Sequence, residues 1–350
     1  MGNNENSISR RGFIGTITGA AAGSLIGLER RALADVSPGG GMVTDYVGRL
    51  CYNENPLGPP PAAIAAIEDE AEMAHRYPDW FAESLISALA AEYDLSPTRI
   101  VCGAGATEIL RLCAMASCHP GGGNVVVPTP SYGQFAADAQ LLGTMVRSVP
   151  LDSNHTVDLA EMLNHVDANT TAVCITNPNN PTGTVLNAPD LETFIDALPS
   201  GAVTIVDEAY YEYIGQPNYP TAIDLIRAGK NVVVVKTFSK VYGLAGARIG
   251  FAIGQNDFMD QLRAFRLYAT ISRPSLEAAK AALNDNLHVA ATVDLANQTK
   301  NYCYAEFNRM ALSYIPSETN FFMVNVGTNA EPVRAALASR RIYVRTGWGM

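Results

Sequence analysis

Short, wholly apolar runs alternate along this chain with longer stretches whose apolar residues recur every three or four positions. The runs are RIVCG at 99–103, NVVVP at 124–128, TAVCIT at 171–176, VTIVDE at 203–208 and NVVVVK at 231–236. Each has the length of a strand and little internal alternation, the mark of a strand buried on both faces. MVRSVPL at 145–151 is a more polar strand. Helical periodicity covers 81–93, ATEILRLCAMAS at 106–117 and a segment beginning near Tyr132. Upstream, RLCYNEN is a short extended piece; a proline-rich turn and a helix from about Pro61 follow, ending before Tyr77-Pro78. The alternation predicts an α/β fold, a mostly parallel sheet sandwiched by helices. Beyond Ser275 the pattern changes. Two helical stretches, 275–294 and 295–312, lead into the strand NFFMVNV, the helix EPVRAALASR and the strand IYVR, a smaller α+β domain.

Composition narrows this picture. With 350 residues, 48% hydrophobic and 17% charged, the chain has material for one large or two moderate cores. A net charge of -10, with no basic stripe, argues against nucleic acid as a partner. Residues 1–34 read as a leader: Arg10-Arg11, Phe13, an uncharged stretch to Leu28, then Ala32-Leu33-Ala34 as a small-x-small cleavage signal. The pattern resembles a twin-arginine export signal, which predicts a periplasmic or exported protein that meets the twin-arginine machinery. An ordinary secretory signal or an uncleaved anchor stays open. The domains expected are therefore the leader at 1–34, an arm and part of the small domain at 35–75, the large domain at 76–274 and the small domain at 275–350. Six cysteines sit mostly in apolar runs without a CxxC pair, so buried free thiols are expected. Cys118-His119 lacks completing ligands, and no metal is expected.

The chemistry gathers at strand ends. NVVVVKTFSKVYGLAGARIG delivers Thr237, Ser239, Lys240 and Arg248 just after a buried strand. A desolvated lysine there has a lowered pKa and condenses with an aldehyde. The hydroxyls and guanidinium suit a phosphate on the same cofactor. A surface lysine in an ordinary loop gives the same local pattern. VTIVDEAYYEY sets Asp207 at another strand end with Tyr210 three residues on, a carboxylate able to keep a pyridine nitrogen protonated or merely to cap the strand. TNPNNPTG is a rigid turn that presents Asn180, and CGAGATEIL opens a helix at Ala106-Thr107, whose amides form an anion site.

In order along the chain, NENPLGP, RYP, GAGATE, PSYGQF, NPNNPTG, DEAYYEY, TFSK, AGARIG and SETNFF make the sequence resemble a pyridoxal-phosphate-dependent aminotransferase of fold type I, near the histidinol-phosphate aminotransferase group. The resemblance runs from about Leu50 to the last residue. It implies pyridoxal 5'-phosphate on Lys240 as a Schiff base, with Lys240 also the acid and base between the substrate Cα and C4′. It implies Asp207 at the pyridine nitrogen, Asn180 and Tyr210 at the 3-oxygen, and Tyr132 stacked on the ring. Ala106, Thr107, Thr237, Ser239 and Arg248 would hold the phosphate. Tyr77 would reach the partner's phosphate across a homodimer with shared sites. Asn55, Asn320 and Arg345 match substrate-facing positions.

One departure stands out. The family's later substrate-binding arginine and its strand belong beyond IYVRTGWGM, so the small domain is expected to be incomplete at its C-terminus. The expected reaction moves an amino group between an amino acid, or a histidinol-phosphate-like amine, and a 2-oxo acid. A decarboxylase or lyase on the same scaffold, or a degenerate exported binding protein, are the alternatives.

Overall fold

The computed structural model describes residues 48–348, and the twin-arginine-like leader and the lead-in after it lie outside the described residues. The strands are β1 (Gly48–Arg49), β2 (Ile100–Gly103), β3 (Asn124–Thr129), β4 (Met145–Pro150), β5 (Thr170–Thr176), β6 (Val203–Asp207), β7 (Val232–Thr237), β8 (Gly250–Gly254), β9 (Tyr314–Ile315), β10 (Met323–Val324) and β11 (Ile342–Tyr343). The helices are α1 (Pro61–Ala71), α2 (Glu83–Glu92), α3 (Ala106–Ser117), α4 (Gln134–Leu141), α5 (Leu159–Asn164) and α6 (Ala188–Asp196). They continue with α7 (Ile223–Arg227), α8 (Asn256–Phe265), α9 (Arg273–Leu283), α10 (Asn286–Arg309) and α11 (Ala330–Ala338).

Packing divides the described chain into two units, one from Tyr52 to Val333 and one combining 48–51 with 334–348. In the smaller unit β1 runs parallel to β11, and the Leu50 amide donates to the Tyr343 carbonyl at 2.8 Å. The larger unit is built on a seven-stranded sheet in the order β2-β8-β7-β6-β5-β3-β4, parallel except where β8 pairs with β2 and β7. Alternate residues feed two cores. Val206 and Val234 pack with α2, α6 and α9, while Ile205, Val233 and Val235 pack with α3, α4 and α8. Val232, Val233, Val234 and Val235 are each at most 1% exposed. Burial of each contributes roughly 1.5–3 kcal/mol. That is why the apolar run shows no alternation.

Register decides where the chemistry goes. Thr176 is level with Asp207, and Asp207 with Val235, so the turns after β5, β6 and β7 open at one edge. Gly250 is level with both Thr237 and Gly103, which sets the turn after β2 beside the end of β7.

Three features depart from the expectations. The strand GFAIG was not foreseen, because glycines at both its ends weaken the apolar signal. Gly250 is required: a Cβ there would lie 2.4 Å from the Ala106 amide nitrogen, so the first turn of α3 rests directly on the strand. The helix break falls at Asn284-Asp285 rather than near 295, since the Asp285 carboxylate caps α10 by accepting from the His288 amide at 2.9 Å. NFFMVNV also pairs only over Met323–Val324, antiparallel to β9. All six cysteines are free, and all but Cys303 are buried.

Candidate active site

The anion cradle forms where β2 meets α3. Gly105 precedes the helix at φ +87, and a Cβ on it would lie 2.3 Å from Arg248 Nη2. Glycine supplies both the conformation and the space. The Glu108 carboxylate accepts from the Ala104 amide, closing the loop over the helix start. Ala106 and Thr107 open α3, whose free amides carry the positive end of the helix dipole. Arg248, left-handed at φ 57, hydrogen-bonds the Ala104 carbonyl at 3.5 Å, the Ala245 carbonyl at 3.0 Å and Ser239 Oγ at 3.5 Å. Thr237 Oγ1 stands 3.0 Å from Ser239 Oγ and accepts from the Ser239 amide at 3.1 Å. The hydroxyls, guanidinium and helix amides expected from sequence thus share one small loop cluster.

Beside it lies the carboxylate. Asp207 is buried, and its side chain accepts from the Ala209 amide at 3.1 Å. Burial raises its pKa from 3.8 to about 6; the Ala209 amide, Lys240 and Lys236 pull it down while Glu208 pushes it up. Lys240 Nζ donates to the Tyr52 carbonyl at 3.0 Å and the Asn53 carbonyl at 3.3 Å, and lies 5.3 Å from the centre of the Tyr210 ring. No salt bridge to Lys240 occurs among the described residues. The Tyr210 hydroxyl accepts from Asn53 Nδ2 at 3.2 Å, and Phe321 meets its ring edge-on at 4.9 Å. Tyr132 lies 3.5 Å from Thr107 Oγ1 through its hydroxyl; burial raises its pKa, and Asp207, Tyr210 and Arg248 all act on it. These groups make one cluster.

In NPNNPTG two of the three asparagines hold the turn. Asn177 donates to the Tyr219 hydroxyl at 2.8 Å, and Asn179 bonds Thr182, the Pro130 carbonyl and Ser131, just before Tyr132. Asn180 is buried, yet its side chain makes no hydrogen bond among the described residues. Asn320 donates to the Asn53 carbonyl at 3.2 Å, and its buried Oδ1 has no hydrogen-bond partner among the described residues. The Asn55 amide is directed to the Val241 carbonyl at 2.9 Å and to Thr292 Oγ1 at 3.0 Å, tying its loop to α10. Tyr77 is 83% exposed and makes no hydrogen bond or ring contact with the cluster among the described residues. Arg345 lies in the smaller unit, with its guanidinium 4.6 Å from the centre of the Trp348 ring. Sequence reasoning missed Glu108 and Phe321. The Glu three residues after Gly105 was a legible signal for the first, as a helix-start carboxylate; nothing marked the second beyond its motif.

Residues 47–349 match the family model for aminotransferase class I and II. The chain belongs to that family. It is 38% identical over 303 residues to a histidinol-phosphate aminotransferase of Caldicellulosiruptor saccharolyticus, covering 87% of this chain and 84% of that one. A histidinol-phosphate aminotransferase of Moorella thermoacetica is 34% identical over 300 residues, 85% and 77% of the two chains. Among solved structures, the histidinol-phosphate aminotransferase of Sinorhizobium meliloti in complex with pyridoxal-5'-phosphate superposes with a TM-score of 0.79 at 29% identity, over 86% of this chain and 83% of that one.

As a member of this family the protein is a transaminase that works with pyridoxal 5'-phosphate. Its residues fit that group. Gly105 lets the Arg248 guanidinium close against the loop that opens α3, the buried Asp207 carboxylate has a backbone amide as its hydrogen-bond partner, and Asn320 Oδ1 is orphaned among the described residues.

Proposed function

We propose that this aminotransferase moves an amino group between a 2-oxo acid and either an amino acid or a histidinol-phosphate-like amine, with Lys240 as the amine that receives the cofactor. The observation that carries the reading is Lys240 itself. Its ammonium is held by two backbone carbonyls and by no carboxylate, beside Asp207 and Tyr210, so it is free to exchange these contacts for covalent and proton-transfer chemistry. When bound, pyridoxal phosphate supplies an aldehyde and a protonated ring that draws electrons from the substrate Cα. Asp207 would keep the ring nitrogen protonated, its own pKa falling as the new positive partner arrives. Tyr210 and Asn180 would hydrogen-bond the 3-oxygen, and Tyr132 would cover a ring face. Ala106, Thr107, Thr237, Ser239 and Arg248 would hold the phosphate. Lys240 would carry the proton between the substrate Cα and the C4′ position.

Asn55, Asn320 and Arg345 belong to the substrate side of this reading, Asn55 through the loop it fixes. The exposed Tyr77 supports a homodimer in which it completes the partner's phosphate site. The names of the two relatives support a phosphorylated amine as donor. The leader at 1–34 supports export through the twin-arginine machinery; Arg10 and Arg11 both to Lys should leave precursor inside the cell, and normal export would end that assignment.

The test of the activity is a panel of amino acids and amines, histidinol phosphate included, offered to the purified holoenzyme with 2-oxoglutarate. Glutamate formation matched by loss of the amine is expected. Release of carbon dioxide without glutamate would overturn the reading in favour of a decarboxylase.

A further inference from the structure

Beside the candidate site, where β6 and β7 end, lies a second cluster of charge. Lys236 is 4% exposed at the end of β7, and its ammonium sits 3.0 Å from Glu212 and 3.3 Å from Glu208. It also lies 4.5 Å from the centre of the Tyr211 ring. Strand alternation puts Asp207 and Val235 on one face and Glu208 and Lys236 on the other. Glu208 is anchored further, accepting from the Ala222 amide at 2.6 Å and from Thr221 Oγ1 at 2.7 Å.

A buried ion pair of this kind adds little stability over apolar side chains of the same volume, because desolvation offsets attraction. What it adds is direction. The two carboxylates that Lys236 grips stand two residues before and two residues after Tyr210. Tyr210 itself is at φ -122, ψ 12, the pivot between the strand end and the 3-10 turn Tyr211–Tyr213. With both flanks tied to one ammonium, the pivot has no slack.

We propose that Lys236 is a positioning residue for Tyr210: gripping Glu208 and Glu212 from the far face of the sheet, it fixes where the phenol stands beside Lys240. This rests on the functional reading above. The groups facing Lys236 are Glu208, Glu212 and Tyr211 from the loop after β6, Tyr93 at the end of α2 and Tyr242 from the loop after β7, with Glu92 further out, and its charge also reaches Asp207 at the end of β6. Those facing Tyr210 are Lys240, Asn53, Tyr132 and Tyr213. Burial opposes the charge on Lys236, and Glu212 and Glu208 more than offset it, so the ammonium stays charged across the working pH range.

The experiment follows the visible band of the holoenzyme as a function of pH, together with the melting temperature. Tyr210→Phe removes the phenol and should move the band's pH midpoint upward by about one unit, the size of a lost hydrogen bond to a charged centre. Lys236→Met should move it the same way. The double variant should move it no further than either alone, since the two act through one contact. Lys236→Arg should restore most of the midpoint. If Lys236→Met does not fold, Glu212→Gln releases one flank, leaves a neutral Lys236–Glu208 pair and should give the same direction. A lowered melting temperature with an unmoved midpoint, or additive shifts in the double variant, would overturn the positioning role alone. An unmoved midpoint in Tyr210→Phe would overturn the placement of Tyr210 at the cofactor, and the proposal with it.

Discussion

At the carboxyl ends of β6 and β7 two clusters carry the same three kinds of side chain, a lysine, a carboxylate and a tyrosine. One holds Lys236, Glu208, Glu212 and Tyr211; the other holds Lys240, Asp207 and Tyr210. In the first every charge has its opposite within hydrogen-bonding reach. In the second, among the described residues, the lysine is matched only with carbonyls and the carboxylate only with a backbone amide. The lysines are four positions apart, yet one is locked and the other is left with exchangeable partners. A satisfied cluster positions; an unsatisfied one reacts.

The sharpest break of this contrast is Lys240→Ala. It should remove the visible band of the purified protein and lower amino transfer roughly 10⁴-fold, the upper range for a lost acid–base group; a coloured, active variant would move the chemistry elsewhere. Next comes Asp207→Asn, with opposite effects in the two states of the protein. Transfer should fall roughly 10²–10³-fold when the ring nitrogen loses its partner charge. In the cofactor-free protein the sign reverses. The folded pKa is raised, so the contribution of Asp207 to stability is full below 3.8 and is lost as pH rises through about 6. The asparagine variant escapes that loss, and denaturant unfolding at neutral pH should show it more stable by ~1–3 kcal/mol, with a flatter pH dependence. Smaller still is Gly105→Ala. Its methyl displaces the Arg248 guanidinium and must take a φ of +87, so equilibrium titration should show pyridoxal phosphate bound about tenfold more weakly, with the unmodified Lys240 chemistry intact.

Much of this was legible before any coordinates. Wholly apolar runs announce doubly covered strands because a β strand shielded on both sides needs no polar positions, and β5, β6 and β7 were read that way. Lys240 and Asn180 stand out because each follows such a run in a loop of turn-forming residues, and Asp207 because it is a charge at the end of one. β8 was not, because its glycines answer to the backbone of α3, a partner remote in sequence. The Lys236 cluster was equally hidden: a lysine at a strand end and two glutamates in the loop after the preceding strand look solvated until the sheet brings them together. The amide contact of Asn55 with Thr292 depends on α10, whose N-cap at Asp285 differs from the break that periodicity suggests near 295.

The cysteines have a practical consequence. Five of the six are sealed inside the fold, and burial holds the Cys102 thiol up at about 12, leaving Cys303 as the half-open one. A coloured sulfhydryl reagent added to the native enzyme would therefore be consumed in two stages, one equivalent promptly and the remainder only as molecules open. The slow stage is a clock for opening events, built into the chain without labels.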